Sequence, residues 1–368
     1  MFRFGIEHEI AFLSRDGEFV DYENTPFEVL HTLIRELPLY EQDYPQLRIG
    51  EAGIKRKRWY IEGFERYNEA GEVIGCPLKG IEVRTTPHHT IQDVMRELRE
   101  SCLLLSAVAT RYGLEPVLIG FHPYKKEFVP DPPLNAFERQ FRQSIPERRT
   151  ALLSVLTYGP DFNISLAGLS AAECVDLGQK LTYYSPFIVP LSFSSPFYDG
   201  KLWGGLSIRT YQRTGPRPAV LVYLENPADL IACDPSLTRL ARLPAEVGRI
   251  EFKACDSCAD LRLYAGFLAL LKGLVLDTTL PGRALVPDRE LHQRAAQKGF
   301  ALTEIVEGTE LVLGAAERAL AADEDRMWLE PLWQLVRSRT SPADLLIRAY
   351  METGSIEAAL RASYAQAS

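Results

Sequence analysis

Glu7 and Glu9 stand two residues apart in FGIEHEIAF, and single glutamates interrupt three further apolar runs: Glu62 in YIEGFE, Glu82 in GIEVRTTP and Glu251 in RIEFKAC. Carboxylates placed this way have two uses. On a sheet with one solvated face they cost nothing and pair with Lys or Arg on neighbouring strands. On a concave sheet they bind hard cations, because Mg²⁺ takes oxygen ligands, keeps some of its waters and usually accompanies substrate phosphates. Like charges facing each other across strands are destabilising unless a cation lies between them, so several strands bearing glutamate favour the metal reading. Basic residues share the two-residue spacing: Arg84 follows Glu82 and Lys253 follows Glu251. Such a set could hold a triphosphate through metal ions and stabilise a transferring phosphoryl group. The sequence has no P-loop, G-x-G-x-x-G or kinase-type glycine loop, so phosphate capture by a glycine loop at a helix start is not its route.

These residues need strands to aim them. Residues i and i+2 of a strand share a face, which puts Glu7 and Glu9 opposite Phe4, Ile6, His8, Ile10 and Phe12. Residues 2–13 read as that strand, and TPFEVLHTLIREL as a helix with Thr25 as N-cap and Pro26 at its first position. KRKRWYIEGFERYN, a turn at NEAGE, and LKGIEVRTTP then read as an antiparallel meander, their connections being too short for crossover helices. Thr90 is expected to cap a long amphipathic helix ending at Gly113, followed by a strand EPVLIGFHP. After a Pro-rich loop and two short helices come the strand DFNISLAGL and a helix opened by the capping box SAAE, Ser170 to Glu173. PAVLVYLE and GRIEFKAC read as strands, each followed by a helix, and from about 257 the pattern is helical only, with helices begun by Ser341 and Ser355. The fold class is α+β: a large, curved, mostly antiparallel sheet backed by helices, with a helical C-terminal layer.

Composition bounds the partners. A chain of 368 residues, 46% hydrophobic, can bury a large core. Its net charge of -8 argues against nucleic acid or an anionic membrane as partner. No basic-then-apolar leader precedes the first strand, and YAGFLALLKGLVL is too short to span a bilayer, so a cytoplasmic protein is expected. The six cysteines are scattered in a way that fits that setting. Cys255 and Cys258 form a C-x-x-C without a second pair, which is weak support for zinc or redox use.

FGIEHEIAFL resembles the first strand of the glutamate–cysteine ligase type 2 family of carboxylate–amine ligases, with its GxExE-like start. KGIEVRTTP is similar to that family's E-x-(R/K/S)-T-P strand end, and GFHP to its G-x-H-P turn. DFNISL stands where the family has a His-x-(Asn/His) strand, SSPFYDGKLWGGLSIRTYQ resembles its (N/S)SPF-x-x-G…G-x-x-S-x-R segment, and GRIEFKACD its E-x-R-x-x-D strand. The matches run in order from residue 5 to about 256, with a weaker likeness in ETGSIEAAL near the end. The resemblance implies a glutamine synthetase and guanidino kinase-like superfold, in which residues 1–368 form one catalytic domain and 257–368 a mostly helical part packed on it. It further implies a funnel-shaped sheet holding ATP and Mg²⁺, and phosphorylation of a substrate carboxylate to an acyl phosphate that an amine displaces. Glutamate or a similar carboxylate and an amine or amino acid would be the small-molecule substrates, as in glutathione biosynthesis.

Carried over position by position, Glu7, Glu9, Glu82 and Glu251 would be metal ligands and Asn163 would contribute to the metal or nucleotide site. Glu62, read from its strand, joins the metal set. Arg209 would contact phosphate or the substrate carboxylate, Lys253 would replace the usual phosphate-binding arginine, and Arg84 is the third candidate catalytic cation. Asp161 stands where histidine is expected and could add a metal ligand. Lys253 offers a point charge in place of a planar, bidentate donor. Trp203, in the loop KLWGG, is expected over the site in contact with nucleotide or acceptor. His8 is assigned to the core, His88 and His89 to a turn and helix start, and His122 to a structural role. A phosphotransferase of the same superfold and a non-catalytic nucleotide or amino-acid binder remain alternatives, and the acceptor amine and oligomeric state are left open.

Overall fold

The computed structural model describes residues 1–47 and 58–367. Its strands are β1 (Phe2–Ser14), β2 (Trp59–Gly63), β3 (Arg66–Tyr67), β4 (Val73–Gly75), β5 (Leu78–Arg84), β6 (Leu114–Val117) and β7 (Pro160–Leu166). The later strands are β8 (Phe197–Tyr198), β9 (Lys201–Leu202), β10 (Val220–Leu224), β11 (Thr238–Leu240) and β12 (Ile250–Phe252). Eight strands form one curled half-barrel in the order β11-β10-β12-β7-β1-β5-β2, and β6 pairs with the far end of β1. The pairs β3–β4 and β8–β9 are separate short ribbons. The meander expected from the sequence is present, less the residues KRK at 55–57, which lie outside the described residues.

The helices are α1 (Phe27–Arg35), α2 (Ile91–Arg111), α3 (Ala136–Gln143), α4 (Pro146–Arg149), α5 (Ala151–Ser154), α6 (Ala171–Ile188) and α7 (Ile208–Arg213). From α8 (Leu261–Leu276) the chain is helical: α9 (Arg289–Lys298), α10 (Thr303–Ala319), α11 (Glu330–Ser338), α12 (Pro342–Thr353) and α13 (Ile356–Ala367). α8 is apolar nearly all round and is buried accordingly, with Tyr264, Phe267 and Leu271 inaccessible to solvent. It packs on β7, α2 lies against β1 and α6 against β10, so one face of the sheet is the core. The alternation in β1 follows this division: Phe4, Ile6, His8, Ile10 and Phe12 are buried while Glu7 and Glu9 keep partial access to solvent. Among the described residues no helix is long and apolar enough to cross a membrane.

The caps repeat the sequence signals with one exception. Thr90 accepts from the Asp93 N–H, and Ser170 with Glu173 forms the expected capping box. Thr25 does not cap α1, since its hydroxyl donates to Asn24 Oδ1 and Pro26 takes the cap position. Two strand expectations also need correction. EPVLIGFHP ends as a strand at Val117, because the following turn is tied elsewhere: His122 N–H donates to Leu156 O. β10 is followed by a short 3₁₀ turn at Pro227–Asp229 and then by β11, parallel to β10, and not by a helix. Pro227 and Pro235 interrupt any helical ladder in that stretch.

Candidate functional site

Strand register assembles the acidic face. Glu9 lies opposite Glu82 in the β1–β5 pair, and Tyr60 lies opposite Glu82 in the β2–β5 pair. On the other side of β1, Glu7 lies opposite Asp161, and Asn163 of β7 lies opposite Glu251 of β12. Five strands therefore aim Glu62, Glu82, Glu9, Glu7, Asp161, Asn163 and Glu251 at one surface. Above its β12 side opens a cleft of about 210 Å³ lined by Glu7, Arg84, Asp161, Asn163, Glu251 and Lys253, among others.

The face divides electrostatically. On the β2–β5 side, Glu9, Glu62 and Glu82 bring carboxylate oxygens within 4.8 Å of one another. Burial, reinforced by Glu9 although opposed by Lys79, pushes Glu62 up to about 7. Burial raises Glu82 as well, against the attraction of Arg84, with Glu62 and Glu7 adding to the rise. Lys79 Nζ donates to Glu9 Oε1 at 2.5 Å, and Arg84 Nε donates to Glu82 Oε1 at 2.5 Å while its guanidinium lies over the Tyr60 ring. Glu9 Oε2 also accepts from the Gly159 N–H at 2.7 Å. Gly159 has to be glycine, because a Cβ there would collide with the Arg209 guanidinium and the Cys255 carbonyl.

On the β12 side Glu251 is matched by cations. Burial would raise Glu251, but the Lys253 and Arg249 charges outweigh it and bring it down to about 2. Lys253 bonds Glu251 and also donates to Asp161 Oδ2 at 2.9 Å. Arg249 bridges Glu7 at 3.2 Å and Glu251 at 3.1 Å, and the Tyr223 hydroxyl donates to Glu251 at 2.9 Å. Asp161 is pushed up to about 6 by burial, with Lys253 opposing and Glu251 and Glu7 adding. Asn163 Oδ1 is buried without a hydrogen-bond partner. A buried carbonyl oxygen left open beside carboxylates is a ready ligand for a hard cation.

Mg²⁺ and a nucleotide are the groups the resemblance implies, and the donor set fits the metal ion. An all-oxygen set of three close carboxylates suits Mg²⁺, a hard cation that binds through oxygen and keeps several of its waters. The unpartnered Asn163 oxygen adds a further donor.

Other expected residues are placed elsewhere. Arg209 is buried, and its guanidinium donates to Ala254 O and Lys253 O, 3.8 Å from Asp256, outside the lining of the cleft. Trp203 lines a second cleft formed by the β8–β9 ribbon, α7 and the end of α9. His8 sits in the core beneath the acidic face, bonded to the Tyr264 hydroxyl, and burial lowers it to about 3. His122 is buried against Asp21 at 3.0 Å, and His88 bonds Glu97 at 2.7 Å at the strand end before α2. Cys255 and Cys258 are buried free thiols, with burial pushing Cys255 up to about 12, so neither is a reactive thiolate.

Sequence reasoning missed several cations. Arg249 and Lys79 are two: each lies in a segment already assigned to a strand, but their contacts with Glu7, Glu251 and Glu9 join distant segments. Arg213 and Arg217 are two more: burial holds both below the usual arginine range, with Arg209 adding to the fall and Asp161 and Glu9 opposing it. Their hydrogen bonds go to the carbonyls of Pro218 and Thr150. The spacing of Arg209 and Arg213, one helical turn apart in IRTYQR, was the available signal.

Known proteins resemble the chain in sequence and in fold. The model of glutamate-cysteine ligase family 2 matches residues 3–218. A protein of Chloroflexus aurantiacus provisionally named glutamate–cysteine ligase 2 is 25% identical over 313 residues, covering 76% of this chain and 78% of its own. A provisionally named counterpart from Roseiflexus sp. is 24% identical over 209 residues, 53% of this chain and 54% of its own, so the chain spans about half the length of that relative. In fold, the chain is similar to glutamate–cysteine ligase of Francisella tularensis in complex with AMP, with TM-score 0.57, 12% identity, and 99% of this chain and 88% of that one covered. It is similar as well to a bifunctional glutathione synthetase from Pasteurella multocida, with TM-score 0.57, 14% identity, and 100% of this chain and 52% of that one covered. The fold is therefore the glutamine synthetase-like α+β arrangement expected from the sequence. Matched by the family model over more than half its length, the chain belongs to glutamate-cysteine ligase family 2.

Proposed function

We propose that the protein is an ATP- and Mg²⁺-dependent carboxylate–amine ligase, acting on glutamate or a similar carboxylate and an amine or amino acid. The observation that carries this reading is the convergence of Glu9, Glu62 and Glu82, with oxygens within 4.8 Å, beside a cleft that also holds Arg84, Arg249 and Lys253. Glu9, Glu62 and Glu82 would hold metal, with Glu7, Asp161, Asn163 and Glu251 as the adjoining donors. Bound there, metal ions would neutralise phosphate charge and favour phosphoryl transfer to a carboxylate.

The chain's own residues orient and shield the reactants. Lys79 and the Gly159 N–H fix both oxygens of Glu9, which leaves that carboxylate one orientation. Arg84 is held over Tyr60 and against Glu82, so its planar fork is already ordered. Lys253 keeps its proton, because Asp161 and Glu251 raise it against the effect of burial, and so offers a fixed positive charge on the cleft floor. Residues 1–368 are taken as one catalytic unit, with 257–368 packed on the sheet through α8.

The test is incubation with ATP, Mg²⁺, glutamate and a panel of amines that includes cysteine, following ADP, phosphate and amide by mass spectrometry. Amide formed in step with ADP supports the reading, and no ADP release with any pair overturns it. One observation favours a second reading: Asp161 and Lys253 are bonded to each other on the cleft floor at the positions that depart from the family pattern. A non-catalytic binder would show nucleotide or amino-acid binding by calorimetry with no turnover.

A further inference from the structure

The cleft that holds Trp203 shares no lining residue with the acidic one and has the opposite character. Lys201 and Leu202 of β9, Ile208, Tyr211 and Gln212 of α7, and Gln297 and Lys298 at the end of α9 surround it. No carboxylate lines it among the described residues, in a chain whose net charge is -8. The adjacent Asp199 is engaged by Lys126 at 3.1 Å. Lys201, Lys298 and the side-chain amides of Gln212 and Gln297 have no hydrogen-bond or ion-pair partner among the described residues, and Trp203 Nε1 is buried without one. Donors are thus gathered where the protein supplies no acceptor, with Lys201, Lys298 and Gln297 exposed and Gln212 and Trp203 half-buried.

The walls are built in advance. The N–H groups of Leu206 and Ser207 both donate to Ala296 O, at 2.8 and 3.1 Å, and the Gln293 amide donates to Tyr211 O, which locks the end of α9 to the start of α7. Trp203 lies across Gly205, where a Cβ would collide with the indole ring, and its ring meets that of Tyr211 at 5.4 Å. WGG in the sequence is therefore a means of laying an indole flat on the backbone.

We propose that this cleft is a second ligand site, separate from the acidic face, for a small organic oxyanion with a flat or apolar body. Lys201 and Lys298 take the carboxylate or phosphate group, the two glutamines supply further donors, and the Trp203 ring, Leu202, Ile208 and Tyr211 contact the body. The site does not depend on the ligase reading, because none of its residues belongs to the acidic cleft.

Tryptophan fluorescence tests this directly with benzoate as the carboxylate probe, phenyl phosphate as the phosphate probe and benzyl alcohol as the neutral control. Saturable quenching by benzoate, phenyl phosphate or both, absent with benzyl alcohol, is expected, and the stronger probe identifies the anionic group. The signal should vanish in Trp203→Phe, and the K201A/K298A double variant should bind at least tenfold more weakly. Both lysines are exposed and unpaired, so that variant is expected to melt like the parent. Glu82→Gln should leave the titration unchanged. Absence of saturation with either anionic probe, equal binding by K201A/K298A, or an equal loss in Glu82→Gln would overturn the proposal.

Discussion

The β2–β5 side and the β12 side of the acidic face carry the same residue type on the same sheet and hold it in opposite states. Glu62 is raised to about 7 and Glu82 is raised with it, whereas Glu251 is lowered to about 2. Burial acts upward on all three, so desolvation is not the difference. The cations are. Glu251 has Lys253, Arg249 and the Tyr223 hydroxyl on its two oxygens, while the three carboxylates across β1 share Lys79 and Arg84. Around Glu251 the network is compensated by its cations, although Asp161 beside it is still raised to about 6, and the Glu9–Glu62–Glu82 set is short of positive charge, which is the condition a bound cation would relieve.

The strongest challenge to this contrast is Lys253→Met. It leaves Asp161 and Glu251 buried without their shared cation, and a loss of about 3–5 kcal/mol of stability is expected from denaturant melts. A loss below about 1 kcal/mol would show that the β12 network is not held together by that charge. Next in size is Glu82→Gln, which keeps the shape and removes one negative charge from the β2–β5 side. Turnover should fall roughly 10²-fold in a steady-state assay if that carboxylate helps to hold the metal ion that neutralises the transferring group. The metal-free protein, in contrast, should become no less stable.

A smaller effect separates the halves by pH. Glu62 has its folded pKa raised from 4.5 to about 7, so its contribution favours folding below 4.5 and is lost as pH rises through 7. Mg²⁺ should therefore raise the Tm more at pH 8 than at pH 5, and chelation should reverse the gain. Glu62→Gln should make the metal-free protein about 1 kcal/mol more stable at pH 8 and shrink the Mg²⁺ increment. An equal increment at both pH values would break the assignment of the β2–β5 side to metal. The smallest effect lies away from the site. Burial lowers His292 from 6.5 to about 4, so its neutral form favours folding above 6.5 and that contribution fades as pH falls to 4. His292→Gln should flatten this part of the stability curve slightly without altering the Mg²⁺ response.

Much of the scaffold was legible because it obeys local rules. Period-two alternation in β1, the Thr90 cap and the Ser170–Glu173 capping box each depend on residues within a few positions of one another. The errors fall where distant segments compete. Thr25 was assigned as a cap from its place before Pro26, yet Asn24 takes its hydroxyl. The strand through EPVLIGFHP stops because His122 pairs with Leu156, and the expected helix after β10 gives way to β11. The site follows the same division: the orientation of Glu7, Glu9, Glu82 and Glu251 was readable, but Trp203 was expected over the same cleft and lines another.

The sequence by itself determined which carboxylates share a face, because alternation along a strand is a property of consecutive residues. It also determined the family, through ordered motifs that need no coordinates. Only the tertiary structure decided which of those carboxylates are neutralised. Arg249 and Glu7 are separated by most of the chain and meet at 3.2 Å, as Lys79 and Glu9 meet at 2.5 Å across the sheet. Charge state is set by distance and burial, and both come from packing between segments whose order in the chain says nothing of their separation in space.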